Sequence, residues 1–132
     1  QEAGTRDALL SQIGFLDVMA SVVGVGKGKA LSPDGQPAQE ATWFGAKGDG
    51  RSYAIGMAQN HTLTLRTPQW KFIEPKGGAT IIPWGPKIET GYSTSPQLFR
   101  RVNGEYDESV NKANEYKSVC DSISKELESI KR

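Results

Sequence analysis

Residues 61–75 read His-Thr-Leu-Thr-Leu-Arg-Thr-Pro-Gln-Trp-Lys-Phe-Ile-Glu-Pro, and this stretch decides the fold class that the sequence predicts. Leu63 and Leu65 alternate with polar residues, which is the period-two pattern of a half-buried strand. Residues 67–69 interrupt the alternation, and their proline favours a turn because its φ angle is fixed. Apolar residues return in 70–73. The stretch therefore predicts an antiparallel hairpin, with Trp70 and Phe72 on one side of its second strand and Lys71 on the other.

The size and charge of the chain limit the classes of protein to which it can belong. It has 132 residues, which suits one domain, and 16 basic against 15 acidic residues give a net charge of +1. A nucleic-acid-binding protein is not indicated, because such proteins carry a strong and localised basic excess. No apolar run reaches the roughly 18 residues that a membrane span needs. Cys120 is the single cysteine, so no internal disulfide is expected.

The N-terminal third predicts a strand, a helix and a loop. Residues 8–12 are short and apolar, which favours a strand. Apolar residues then recur at helical spacing over 13–23, and Gly24 stands where a C-terminal cap belongs. Residues 25–40 are rich in glycine and proline and are expected to form a loop. A further strand is predicted at 41–45, and residues 52–57 are expected to form either another strand or an irregular approach to the hairpin.

A nucleotide-binding function is weighed because residues 24–29 read Gly-Val-Gly-Lys-Gly-Lys. The spacing differs from that of a phosphate-binding P-loop, no Ser or Thr follows the lysine, and the run comes after a helix instead of before one. A solvated loop is the favoured interpretation.

The C-terminal third predicts a short strand at 97–99, ended by Asn103-Gly104, and an amphipathic helix over 114–132 with Asn114 as its N-cap. One stripe of this helix is apolar, and it consists of Tyr116, Val119, Cys120, Ile123, Leu127 and Ile130. Because Cys120 lies on that stripe, we expect a buried and unreactive thiol.

The sequence offers few catalytic groups. His61 is the only histidine, and the carboxylates are scattered, so neither a metal site nor an acid–base pair is expected. The long segment 76–96 is the exception, because long loops that are not simply polar are often functional. Lys71, Trp84, Lys87 and Thr90 offer cations, an aromatic face and a hydroxyl to an anionic or sugar ligand. The alternative is that Trp84 belongs to the core and the lysines are only solvated.

Several stretches, taken in order, resemble the C-terminal part of type I sulfatases of the arylsulfatase A class. Residues 66–73, Arg-Thr-Pro-Gln-Trp-Lys-Phe-Ile, are similar to the family's Arg-x-x-x-Trp-Lys-Tyr-Ile hairpin. Residues 83–87, Pro-Trp-Gly-Pro-Lys, resemble bacterial members close to N-acetylgalactosamine-6-sulfatases. The other matches are Ser11 to Leu16 with Gly24, then Leu31-Ser32-Pro33-Asp34-Gly35, Gln97-Leu98-Phe99, Asn103-Gly104-Glu105, Asn111 and Ala113.

The chain departs from the family pattern at a few places. Gly14 stands where these sulfatases have an aspartate that would cap the helix, and Phe99-Arg100-Arg101 replaces Tyr-Asp-Leu. Residues 105–107, Glu-Tyr-Asp, match the family's Asp-Pro-x-Glu turn only loosely. These departures concern local loop geometry.

The resemblance implies an α+β fold, in which a small antiparallel sheet of about four strands has the C-terminal helix packed across it. Residues 1–24 would be the tail of the catalytic domain, 25–40 a linking loop, and 41–132 the C-terminal subdomain. The chain would then begin downstream of the catalytic residues and of any signal peptide. Calcium and formylglycine are expected in that missing domain, and no cofactor is expected here.

The resemblance also implies partners. The catalytic domain of the same parent chain is the first, and a sulfated sugar or aryl sulfate is reached through that parent, with Lys71, Trp84 and Lys87 as candidate substrate contacts. No nucleic-acid or membrane partner is expected. The parent would be periplasmic or secreted, and this part alone would be inactive. It would either self-associate through an apolar face left by the 13–23 helix or rearrange its N-terminal segment. The alternative is a stand-alone carbohydrate- or protein-binding module.

Overall fold

The computed structural model describes residues 7–25, 40–44 and 50–131, which form two compact units, Gln1–Ala54 and Ile55–Arg132. The predicted loop sequences at 26–39 and the turn at 47–49 lie outside the described residues. The helices are α1 (Phe15–Val22), α2 (Glu40–Phe44) and α3 (Lys117–Ile130). The strands are β1 (Ala54–Met57), β2 (Leu63–Arg66), β3 (Trp70–Ile73), β4 (Gln97–Val102) and β5 (Glu105–Asp107).

The strands form one antiparallel sheet in the order β1-β2-β3-β4-β5, which confirms the α+β prediction with five strands instead of about four. The predicted hairpin is present, and Leu65 lies opposite Phe72 in its register. Thr67 closes the turn, because its backbone N–H donates to Trp70 O at 2.7 Å and its Oγ1 accepts from Trp70 N at 2.9 Å.

The additional strand β5 follows Asn103-Gly104, at which the sequence predicts only the end of a strand. Asn103 and Gly104 have φ angles of 51° and 89°, and two consecutive positive values belong to a type I′ hairpin turn. This turn matches the right-handed twist of the strands it joins, so the chain returns as β5 and pairs with the end of β4.

The core of the sheet unit lies between the central strands and α3. Leu65, Phe72 and Leu98 are buried there together with Leu127 of the helix, and each such side chain contributes roughly 1.5–3 kcal/mol. Trp70 packs against Tyr116 with ring centroids 5.0 Å apart. The predicted stripe of α3 is confirmed at its centre, where Cys120, Ile123 and Leu127 are buried.

The predicted start of α3 is wrong. The helix begins at Lys117, and Tyr116 occupies the N-cap position without a side-chain cap. Asn114 instead lies exposed in the preceding turn, where the N–H groups of Glu115 and Tyr116 donate to Lys112 O. The turn places Tyr116 against Trp70, and this aromatic contact takes precedence over the capping preference of asparagine.

Unit Gln1–Ala54 contains α1 and α2. Residues 8–12 do not form the predicted strand; a single parallel bridge joins Leu9 to Gly50. A 3-10 turn over Gln12–Gly14 follows, and Ser11 Oγ caps it in the absence of the family's aspartate at Gly14. The helix ends as predicted at Gly24, which has a φ of 83° and begins a Schellman motif in which Val25 N donates to Ala20 O.

The predicted strand at 41–45 is also wrong, because Glu40–Phe44 forms the short helix α2. Trp43 of this helix packs against Phe15 of α1, with ring centroids 5.5 Å apart. Periodicity cannot distinguish a strand from a buried helical turn in so short an apolar run. The contact with α1 selects the helix.

Candidate functional site

The long segment 76–96 is a folded arm with its own backbone ladder. Near its base, Lys76 N donates to Ser93 O at 2.8 Å. Farther out, Thr90 N donates to Thr80 O at 3.0 Å, and a bridge joins Ile81 to Glu89. The two halves of the segment therefore support each other, and residues 83–87 form its tip.

A groove of about 490 Å³ lies between this arm and the turn that joins β1 to β2. It is within the roughly 300–1,000 Å³ range of small-molecule sites. Its lining combines aromatic and aliphatic side chains with two amides, two hydroxyls and one carboxylate. The lining residues are Gln59, Asn60, Gly78, Ala79, Ile81, Ile82, Pro83, Trp84, Glu89, Thr90 and Tyr92.

Trp84 lies at the tip of the arm and lines the groove. The residue is 65% exposed, so the interpretation of Trp84 as a core residue is wrong. Ile81 and Ile88, on the two sides of the tip, are also about half exposed. A large planar ring held in water next to a groove is available to a ligand.

Tyr92 forms part of the groove wall, and Gly78 makes room for it. A Cβ at position 78 would overlap the Tyr92 ring. Thr90 further fixes the arm, because its hydroxyl donates to Ala79 O and accepts from Tyr92 N. The sequence analysis named Thr90 for its hydroxyl but did not identify Gly78 or Tyr92, since neither carries a motif.

Asn60 faces the groove from the β1–β2 turn. This turn is closed by Ala58 N donating to Thr62 O and by His61 N donating to Ala58 O, both at 2.9 Å. His61 adopts a left-handed φ of 64° to allow it. Asn60 Oδ1 accepts from Thr62 N at 3.0 Å, whereas its buried Nδ2 has no hydrogen-bond partner.

The two candidate lysines do not line the groove. Lys71 is buried on β3, and its Nζ donates to Glu108 Oε1 at 2.6 Å, so its ammonium group is held within the sheet unit. Lys87 is exposed at the arm's tip. The structure brings Trp84 and Thr90 together, and it separates both from Lys71.

A second surface lies on α1, in the other unit. The predicted apolar stripe of this helix points outward: Ile13, Leu16 and Val23 are 51%, 58% and 73% exposed. The inward side consists of Asp17, Val18 and Ser21. Surface helices ordinarily present their polar side to water, so this helix has an apolar face that the described residues of its unit leave uncovered.

Other candidate chemistry is sparse among the described residues. They contain no group of three histidine, cysteine or acidic residues that could hold a metal ion. None of the helices they form is long and apolar enough to cross a bilayer. Burial, together with the nearby Asp121 charge, raises the pKa of the Cys120 thiol, which keeps it protonated and unreactive.

The chain was compared with known proteins. No family model matches it. It is 31% identical over 126 residues to an N-acetylgalactosamine-6-O-sulfatase of Bacteroides thetaiotaomicron, and the match covers 96% of this chain and 24% of that protein. A solved structure from work on the metabolism of multiple glycosaminoglycans by the same bacterium superposes with a TM-score of 0.80 and 31% identity, over 94% of this chain and 25% of that one.

The chain thus spans about a quarter of the length of the relatives it matches. The resemblance predicted from the hairpin and its neighbouring stretches is confirmed: in sequence and in fold, the chain corresponds to the C-terminal part of a sulfatase.

Proposed function

We propose that this chain is the C-terminal subdomain of a sulfatase, that it supports the catalytic part of the enzyme, and that its arm 76–96 contributes to the substrate pocket. Both relatives support this proposal, since the named one is a sulfatase and the other comes from work on glycosaminoglycan metabolism. The substrate class would accordingly be a sulfated glycan.

The single observation that carries the supporting role is the apolar face of α1. Leu16, Val22 and Val23 are each more than half exposed, while Val18 on the opposite side is fully buried. An exposed apolar helix face marks a contact surface. The match takes in 24% of the curated sulfatase, so most of that enzyme lies outside it and is available to cover such a face.

The hydrolytic chemistry belongs to the upstream part in this proposal. There, the resemblance implies a formylglycine that attacks the sulfate ester and a calcium ion that stabilises the anion, in a periplasmic or secreted enzyme. The described residues of this chain offer no ligand cluster for that ion. They would maintain the shape of the substrate pocket and contact the surface of the catalytic domain.

The first test is the gene. The proposal requires an upstream reading frame that encodes the Cys/Ser-x-Pro-x-Arg segment of sulfatases, and a reading frame that starts near Gln1 would overturn it. The stand-alone binding module would then be the better explanation, with a second copy of the chain on the α1 face.

The second test changes the α1 face in the full-length protein. Leu16→Asp should reduce hydrolysis of a chromogenic aryl sulfate and lower the melting temperature, because a carboxylate would be placed in the apolar contact. Val102→Asp is the matched control, since Val102 is a similarly exposed apolar residue on β4. Equal effects of both variants would contradict a docking role for α1.

A further inference from the structure

We infer that the groove between the arm and the β1–β2 turn binds an uncharged sugar ring that stacks on Trp84, and that it does not bind the sulfate group itself. The inference deepens the proposed function and rests on it for the identity of the arm as a substrate-facing element. Its test uses this chain alone, so it can fail while the sulfatase assignment stands.

Trp84 supplies the stacking surface. Trp84 is 65% exposed and lines the groove, and Ile82, Pro83 and Tyr92 add apolar surface to the same lining. A sugar ring has an apolar face of C–H groups and a rim of hydroxyls, so it suits a site in which an aromatic plane is combined with a few convergent polar groups.

Gln59 and Glu89 supply the exposed polar groups of the lining. An amide can donate to sugar hydroxyls and accept from them, and a carboxylate accepts from them. Asn60 also lines the groove, but its unpaired Nδ2 is buried and lies out of reach of a ligand there.

The charge of the lining selects an uncharged ligand. Glu89 is the only charged residue among those described around the groove, and its carboxylate is an acceptor for sugar hydroxyls. A sulfate or carboxylate placed there would be repelled by Glu89 and would meet no cation in that lining. Lys87 is exposed nearby but does not line the groove, and Lys71 is engaged by Glu108.

The experiment titrates the isotope-labelled 132-residue chain with an unsulfated N-acetylhexosamine glycoside and follows its amide and indole N–H signals by NMR. The expected result is a saturable shift of the Trp84 indole N–H, the Gln59 side-chain amide and the Gly78 backbone N–H. Trp84→Ala should weaken binding by about tenfold or more, a loss that corresponds to about 1.4 kcal/mol. Trp84→Phe should retain part of the affinity, because it keeps an aromatic face.

Two further variants separate the groups. Gln59→Ala removes an exposed amide that lines the groove, and it should weaken binding. Lys87→Ala is the control on the same tip and should leave binding unchanged. Unchanged spectra away from the arm would verify that each variant is folded.

Three results would overturn the inference. The first is the absence of saturable shifts at the highest soluble sugar concentration. The second is equal affinity in the wild-type chain and in Trp84→Ala. The third is tighter binding of a glycoside sulfated on the groove-facing hydroxyl, lost in Lys87→Ala, which would place an anion site at the tip instead. None of these results would alter the outcome of the gene test for the sulfatase subdomain.

Discussion

Glu74 joins the central hairpin to the end of the last helix, and its replacement gives a graded test of how the sheet unit is held. It follows β3 directly. Its Oε1 accepts from Leu63 N at 2.7 Å, and its Oε2 accepts from Lys131 Nζ at 2.6 Å. Glu74→Ala removes both contacts, whereas Lys131→Met removes only the second.

The two contacts differ in expected size because they differ in exposure. The Leu63 N–H is partly buried, and leaving such a donor without an acceptor costs about 1–3 kcal/mol. The Lys131 side chain is 33% exposed and is shared with Glu128, so its ion pair contributes less than about 1 kcal/mol. Glu74→Ala should therefore be clearly more destabilising than Lys131→Met.

The same carboxylate predicts a pH dependence. Burial by itself would raise the pKa of Glu74, but hydrogen bonds from Lys131 and Leu63 outweigh it and hold the pKa below the ordinary value of 4.5. Because the folded-state pKa is depressed, this stability is fully present above the unfolded-state pKa near 4.5. It is lost as the pH falls through the folded-state value. Glu74→Gln should accordingly show a shallower loss of stability below that pH than the wild-type chain.

The measurement must report on the sheet unit alone, since the chain has two compact units that need not unfold together. Amide hydrogen exchange at Leu63, Phe72 and Leu98, followed by NMR, gives that local free energy of opening. Equal destabilisation by Glu74→Ala and Lys131→Met would refute the reasoning. The reasoning would also be refuted if Glu74→Gln and the wild-type chain lost stability equally steeply as the pH falls.

Three further predictions concern other parts of the chain. Leu127→Ala should lower the free energy of unfolding in urea by about 2–5 kcal/mol because it opens a cavity under α3. Ile130→Ala, at a 37% exposed position, should lower it by under about 1 kcal/mol. Similar values for the two variants would contradict the packing described. Gly104→Ala should destabilise the β4–β5 hairpin by about 1–2 kcal/mol because the φ angle is left-handed, and unchanged exchange protection along β5 would count against this. The isolated chain should self-associate in light scattering and become monomeric with Leu16→Asp but not with Val102→Asp; a monomeric wild-type chain at high concentration would disprove the exposed-face argument.

The elements that the sequence predicted well are those whose patterns are long or chemically specific. The hairpin at 61–75 combines strand alternation with a proline turn, and α3 carries an apolar stripe over several helical turns. Gly24 marked the end of α1 because a left-handed residue is needed in a Schellman motif. The ordered matches to sulfatases added the family resemblance, which the comparisons confirmed.

Short segments were predicted poorly because tertiary contacts decide their form. Glu40–Phe44 forms a helix since Trp43 packs on Phe15, and α3 begins at Lys117. At Asn103-Gly104 the prediction is only the end of a strand, whereas the structure forms a hairpin there. That miss came from the interpretation, because Asn-Gly is a strong hairpin signal.

The sequence by itself determined the fold class, the central hairpin, the last helix and the correspondence to a sulfatase C-terminal part, because these depend on local periodicity and on ordered motifs. It also pointed to Trp84 in the arm 76–96. Only the tertiary structure decided which side chains meet: it paired Lys71 with Glu108 and turned the apolar side of α1 outward. It also brought Asn60 across from Trp84 and Tyr92. Those residues lie far apart in the chain, and a groove exists only where the folded backbone brings their separate segments together.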